Sequence, residues 1–330
     1  MESCFNILEL RTALATLPKD LDSTYSEILC NIDVDRTRYV SKILKWLAYS
    51  ARPLQLKEVA EVIAVDVEES PCVNMKRRFQ EPEDILTICS TLISINGEEL
   101  KDTVTVQLAH FSVKEYLVSD RIRLGRAKAY SCQETEANSL LANDCIAYLL
   151  QFDELHSVTY STYFEFPLSS YAALYWFQHA RMAEKDSRAA ANLLTMEFLL
   201  TKGNARLNWI RLHDPDGDWF PMFREEMESV RSVLRPLYYG SLLGLPQSVT
   251  MLLDKGEDIN ASGGYYGNAL QAASSRNYGE IVQILLDNGV DVNAQAGAHG
   301  TALQAASYGG HERLVQMLLD SGADVNADGG

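Results

Sequence analysis

Four acidic residues, Asp214, Asp216, Asp218 and Glu225, stand at positions 1, 3, 5 and 12 of one segment, the spacing at which calcium loops set their oxygen ligands. The sixth position, where such a loop turns sharply on glycine, is Trp219, and Pro221 interrupts the segment. The four are therefore read as a solvated acidic turn. His311-Glu312 lacks the second histidine that a helical zinc-protease motif requires, and no Gly-Lys pair exists to close a phosphate-binding loop. A G-x-S-x-G elbow for a serine nucleophile is missing too. Cys145 lies in the apolar run Asp144 to Leu150, the setting of a packed thiol rather than an activated one. No catalytic residue, metal site or cofactor is expected.

Composition narrows the partners. The 330 residues carry a formal charge of -16, with 47% hydrophobic and 22% charged residues, which describes a folded chain long enough for two or three domains. From Pro236 onward there are ten acidic residues against three basic ones, so this part repels nucleic acid at long range. No apolar run is long enough to cross a bilayer, and the start Met1-Glu2-Ser3-Cys4-Phe5 lacks the basic and apolar regions of a signal peptide. Cys4, Cys30, Cys72, Cys89, Cys132 and Cys145 show no ligand spacing and read as reduced thiols of a cytoplasmic or nuclear protein.

The elements that would hold a partner repeat with a period of 33. Ala269-Leu270-Gln271-Ala272-Ala273-Ser274 recurs from Ala302 to Ser307, and Leu252-Leu253-Asp254 recurs at Leu285 and Leu318. Gly256, Gly289 and Gly322 keep the interval, as do Asn260, Asn293 and Asn326. Paired alanines allow helices of neighbouring units to approach closely. Val282, Ile284, Leu285 and Leu286 form the apolar stripe of a second helix, repeated by Val315, Met317, Leu318 and Leu319. The glycines end those helices in the left-handed region. The pattern resembles the ankyrin family, whose T-P-L-H opening stands here as Thr301-Ala302-Leu303-Gln304 and Asn268-Ala269-Leu270-Gln271. Proline and histidine, which stiffen the turn and tie neighbours, are both replaced. Pro236 to Gly240 is expected to open a divergent first repeat acting as inner cap. No polar outer cap is visible before Gly330, so the array is expected to continue in the natural protein or the gene model to end early.

Upstream, Val40, Ile43, Leu44 and Leu47 predict one helix, Leu56, Val59, Ala60 and Ile63 a second, and Ile85 to Leu92, capped by Asp84, a third. Leu92 to Ile95 and Thr103 to Leu108 predict strands around Asn96-Gly97. Ser112-Val113-Lys114-Glu115 has capping-box spacing. Three helices and a two-stranded wing describe a winged helix. Its basic residues, Lys76-Arg77-Arg78 with Arg121, Arg123, Arg126 and Lys128, lack the aromatic-interleaved face of a nucleic-acid binder and read as solvated.

A second resemblance rests on Leu17 to Tyr25, Arg52-Pro53-Leu54 and His110-Phe111-Ser112-Val113-Lys114-Glu115-Tyr116-Leu117. These look like the region following the NACHT NTPase in fungal NACHT–ankyrin proteins, which are NLR-like STAND signalling proteins. Tyr171 to Trp176, His179-Ala180-Arg181 and Leu207 to Asp216 are similar to the helical segment between that winged helix and the repeats. Such winged helices often carry the name GPI inositol-deacylase, without implying lipase chemistry. The resemblance implies that the NTPase lies outside this chain, and that His110 either reads a bound nucleotide's β-phosphate there or is satisfied at a helix entrance.

The expected fold is mainly α, in four parts: a helical remnant at 1–35, a winged helix at 36–126 with a small β-hairpin wing, a helical connector at 127–235, and about three ankyrin repeats forming an α-solenoid at 236–330. The expected function is protein–protein interaction, as the sensing and relay part of an NLR-like protein. Contact residues are expected at the hairpin tips (Tyr265, Tyr266, His299) and along the first helices (Gln271, Ser274, Ser275, Gln304, Ser307, Tyr308). Tyr265 and Tyr266 either supply contact energy or brace adjoining hairpins. The rival readings are a lipid or ester hydrolase and a DNA-binding winged helix.

Overall fold

The computed structural model describes residues 20–89, 91–97, 104–154, 158–159, 161–185, 193–217 and 234–327. The chain falls into two units, Met1–Ile63 with Arg77–Ala137, and Ala64–Lys76 with Asn138–Gly330.

In the first unit, α1 (Leu21–Cys30) and α2 (Val34–Tyr49) lead to a two-residue strand β1 (Leu54–Gln55) and helix α3 (Leu56–Val62). Then come α4 (Asp84–Cys89), β2 (Ile93–Asn96), β3 (Thr105–Leu108), α5 (Phe111–Val118) and α6 (Asp120–Leu124). The sheet has the order β1-β3-β2, antiparallel throughout, with Leu54 opposite Val106 and Asn96 opposite Thr105. β1 is an element that two residues of sequence cannot announce. Residues 97–104 lie between the wing strands, so the connection is long, as the predicted strand bounds implied. Thr103 lies outside the described residues, and α4 ends short of the expected Leu92.

The helix faces follow the predicted spacing with one shift. Val40, Ile43 and Leu44 are buried in α2, but Trp46 takes the fully buried place and Leu47 is only half-buried. The indole fills more of the core than a leucine does. Capping also moved. Ser112 does not cap α5: His110 does, its Nδ1 accepting from the Ser112 amide at 3.2 Å. The capping box in this unit is Gln55–Glu58 at the start of α3.

The second unit carries α7 (Glu134–Leu150, within this unit from Asn138), α8 (Thr162–Glu165), α9 (Leu168–Ala183), α10 (Leu193–Leu200) and α11 (Ala205–Leu212). Three helix pairs follow: α12 (Pro236–Leu242) with α13 (Pro246–Asp254), α14 (Ala269–Ser275) with α15 (Gly279–Asp287), and α16 (Ala302–Tyr308) with α17 (Glu312–Asp320). Gly256, Gly289 and Gly322 end the second helices at φ 83°, 80° and 90°. In α15 the buried face is Ile281, Val282 and Leu285, with Leu286 half-buried, and in α17 it is Leu314 and Leu318. Of the expected stripes only Val282, Leu285 and Leu318 are fully buried; Ile284, Leu286, Val315, Met317 and Leu319 are half-buried, and Ile281 and Leu314 take core places instead, because only about three positions per two turns of a surface helix face the core.

The inner cap is not the first repeat but the segment before it. Trp209 of α11 packs edge-on against Tyr239 of α12 with ring centroids 5.7 Å apart. Trp176, Phe198 and Trp209 meet one another at 5.3–5.8 Å, and the Trp209 indole N–H donates to the Ala173 carbonyl at 3.0 Å. The Glu184 carboxylate accepts from the Gln247 amide at 3.0 Å and the Ser248 hydroxyl at 2.5 Å. This satisfies two donors at the start of α13.

Candidate protein-interaction surface

Each repeat closes on the next through side-chain amides. Asn260 Oδ1 accepts from the Asp291 amide at 2.9 Å, and Asn293 Oδ1 from the Asp324 amide at 2.8 Å. Asp258, Asp291 and Asp324 each accept from the amide two residues on, at 2.8–3.0 Å. The 33-residue interval of these asparagines is therefore a hydrogen-bond ladder along the hairpins. Gln271, where the ankyrin histidine would stand, donates from Nε2 to the carbonyls of Ala294 and Gly300 in the next repeat, at 3.1 and 2.5 Å. Gln304 donates likewise to Ala327 at 3.1 Å. A glutamine can replace the histidine because its amide N–H₂ spans the same gap between backbones with two donors. The missing proline is offset by N-caps: Asn268 accepts from the Gln271 amide and Thr301 from the Gln304 amide.

The hairpin tips nest on one another. The Tyr238 hydroxyl donates to the Asp216 carboxylate and accepts from the Tyr266 amide at 3.1 Å. Its ring lies where a Cβ on Gly264 would stand, and a Cβ on Gly297 would strike the Tyr266 carbonyl carbon at 2.2 Å. Only glycine lets the tips approach this closely. The Ala298 amide then donates to the Tyr265 carbonyl at 3.0 Å. Burial pushes the Asp216 carboxyl up to about 6, against the Tyr238 hydrogen bond, which lowers it. Asp216 thus anchors Tyr238, and Asp214 accepts from the Asp216 amide at 3.0 Å; Asp218 and Glu225 lie outside the described residues, and no metal-holding cluster occurs among the described ones.

On this scaffold the rings form a continuous row. Tyr265 and Tyr266 meet edge to face at 5.1 Å, Tyr266 and His299 lie 5.7 Å apart, and His299 stacks on Tyr308 at 4.9 Å. Tyr308 is 83% exposed and Tyr265 55%, while Tyr266 and His299 are half-buried. Tyr266 braces the hairpins and Tyr265 faces solvent.

The expected polar contacts fare differently. Gln271 is 1% exposed and Ser274 fully buried, so neither is on the surface; the close approach of α14 to its neighbours covers them. Gln304 and Ser275 are half-buried, and Ser307 is exposed. The hydroxyls of Ser275 and Ser307 donate to the carbonyls of Ala272 and Leu303 in their own helices, at 2.8 and 2.7 Å. Arg276 escaped sequence reasoning. Its guanidinium sits 5.6 Å from the Tyr266 ring centre and donates to the Pro215 carbonyl at 3.0 Å. One signal was available: the positions of the row break the period, since Arg276 aligns with Gly309 and Tyr308 with Ser275.

In the first unit His110 lies at the strand-to-helix junction, exposed, its ring 4.4 Å from that of Phe111. Its Nδ1 also meets the Ser112 hydroxyl at 2.7 Å, and that oxygen bonds the Tyr25 hydroxyl at 2.7 Å. Two distant motifs of the sequence thus meet at one point. The Arg52 motif has a physical role as well: its guanidinium grips the buried Glu58 carboxylate, Nη1 to Oε2 at 2.8 Å. His110, Phe111, Leu47, Arg52 and Lys114 line a groove of about 640 Å³. Several basic residues here are already paired: Arg78 with Glu61, Arg121 with Asp22, and Arg123 with Asp120. Such pairing leaves less free charge for a phosphate backbone.

A winged helix followed by an ankyrin stack is the class of protein these observations define. Comparison agrees: residues 27–131 match the family "GPI inositol-deacylase, winged helix domain", and residues 237–328 match "Ankyrin repeats (3 copies)". The chain is 40% identical over 288 residues to "Azaphilone pigments biosynthesis cluster protein L" of Monascus ruber. That alignment covers 83% of this chain and 60% of the relative, so the chain spans less than two thirds of its relative's length. Among the described residues no helix is long and apolar enough to cross a membrane.

Proposed function

We propose that this chain is a non-catalytic interaction protein, the sensing and relay part of an NLR-like signalling protein, which binds a partner protein through its ankyrin surface. The observation that carries this reading is the row Tyr265–Tyr266–His299–Tyr308, open to solvent at Tyr265 and Tyr308. It is held on hairpins whose positions are fixed by the asparagine ladder and by Gln271. Aromatic rings on a preorganised backbone supply contact area at low entropic cost. A photo-crosslinking residue placed at Tyr308, compared with one at the exposed Leu124 of the first unit, tests the reading. Capture of one defined protein from 308 alone, lost with Tyr265→Ala, is expected; equal capture from both positions would overturn it.

The relay half of the proposal assigns the groove at His110 to a NACHT NTPase module, by the resemblance of its residues. Co-expression with such a module and His110→Leu tests it, with faster nucleotide loss expected; unchanged retention would remove His110 from the proposal. Turnover of a p-nitrophenyl ester by the purified chain would overturn the non-catalytic reading.

A further inference from the structure

The chemistry of the aromatic row identifies the kind of segment that it holds. Resting on the proposed ankyrin interaction, we propose that the row binds an extended, arginine-bearing segment of the partner protein, with guanidinium groups stacked on the open rings of Tyr265 and Tyr308.

Arg276 serves as the internal example. Its guanidinium lies over Tyr266 while donating to the Pro215 carbonyl, and it feels the charge of Asp216. One ring of the row is therefore already occupied by a cation, held in place by a carbonyl. Tyr308 and Tyr265 are the two rings most open to solvent. A ring face attracts a guanidinium through its quadrupole, and the planar ion stacks where an ammonium cannot.

The surrounding charge points the same way. Residues 236–330 hold ten acidic side chains and three basic ones, Lys255, Arg276 and Arg313. Arg276 is engaged within the fold, Lys255 follows the end of α13, and Arg313 lies in α17. None of the three therefore supplies a free cation to the tips and first helices where the row runs. Asp258, Asp291 and Asp324 recur along the same hairpins and all three are exposed. An acidic segment would be repelled by this field, and an uncharged one would gain nothing from it.

The test uses the full chain and three short fluorescein-labelled peptides read by anisotropy. One alternates glycine with arginine, one replaces arginine by citrulline, and one replaces it by glutamate. Citrulline keeps the shape and removes the charge. The arginine peptide is expected to bind at least about tenfold more tightly than the citrulline peptide, to weaken with added salt, and to lose about tenfold with Tyr308→Ala or Tyr265→Ala. Both tyrosines are exposed, so these variants retain the fold, and circular dichroism checks it. Leu124→Ala, in the other unit, is expected to leave binding unchanged.

Equal binding of the citrulline peptide, or arginine binding indifferent to both tyrosine variants, overturns the proposal. The crosslinking experiment separates the two failures. Tyr308-dependent capture of a partner together with a negative peptide result leaves the surface standing and removes the arginine chemistry. A negative result in both removes the surface itself.

Discussion

The ankyrin repeats and the helical segment before them share one unit but are built by opposite means. The repeats use small and aliphatic residues, Ala272, Ala273, Val282 and Leu285, all buried, and repeat their ties at a fixed interval. The preceding segment uses residues that occur once: Trp176, Phe198 and Trp209 in mutual edge contact, and a buried His179 between Tyr171 and Asn138, each 2.8 Å away. The difference teaches how a linear stack begins. A repeat interface is satisfied by a copy of itself, whereas the first repeat needs a surface made for it, and Trp209, Asp216 and Glu184 provide one.

If that contrast holds, the largest effect comes from the unrepeated side. Trp209→Ala is expected to cost about 3–5 kcal/mol and to unfold the first repeat along with the segment, seen as one urea transition at a lower midpoint. A separate, unshifted repeat transition would show that the stack begins without its cap. Within the stack, Leu285→Ala should cost about 2–5 kcal/mol, whereas Leu286→Ala, only half-buried, should cost clearly less. Equal losses would mean that the observed face of α15 is misassigned.

The buried histidine predicts a pH effect confined to the unrepeated segment. Burial pushes His179 down to about 4 from its usual 6.5. Between those values the unfolded chain holds a proton that the folded chain does not. Stability therefore falls as pH drops through this window, by up to about 3 kcal/mol near its lower end. Asp216, raised to about 6, works oppositely, its contribution present below pH 3.8 and lost as pH rises through 6. Urea midpoints of His179→Gln and Asp216→Asn between pH 7.5 and 4.5 separate the two; a wild-type-like profile for His179→Gln would exclude the histidine.

Smaller effects sharpen the repeated side. Gln271→Ala removes two bonds to the next hairpin and should cost about 1–3 kcal/mol, accelerating amide exchange around Ala294 and Gly300. Undisturbed exchange there would mean that the hairpins need no such tie. Tyr308→Ala should change stability by less than about 0.5 kcal/mol, since the ring is exposed, and a larger loss would make it a structural residue.

The stack was legible because its physics is local and repeated. A glycine ending a helix, an alanine pair and an aspartate–asparagine turn act within a few residues, and repetition displays the glycine and the turn three times and the alanine pair twice. The winged helix was legible in its helices, since Val40, Ile43 and Leu44 show a face by spacing alone. Strand β1 and the choice of His110 over Ser112 as cap were not, because each depends on a partner far along the chain: Val106 for Leu54, and Tyr25 for the Ser112 hydroxyl. Among surface residues, exposure could not be read from residue type. Gln271 and Ser274 are polar and buried, whereas Tyr308 is aromatic and exposed.

By itself the sequence determined the 33-residue period, the helix-ending glycines and the acidic charge of the repeats, all properties of neighbours along the chain. Only the tertiary structure decided that Gln271 ties two hairpins, that Asp216 anchors Tyr238 instead of a metal, and that Arg276 lies against Tyr266. Those outcomes rest on which backbones approach within hydrogen-bond reach, and that is set by the packing of many side chains together. The row of rings belongs to both: its residues stand where the repeat departs from itself, and its continuity exists only once the hairpins are nested.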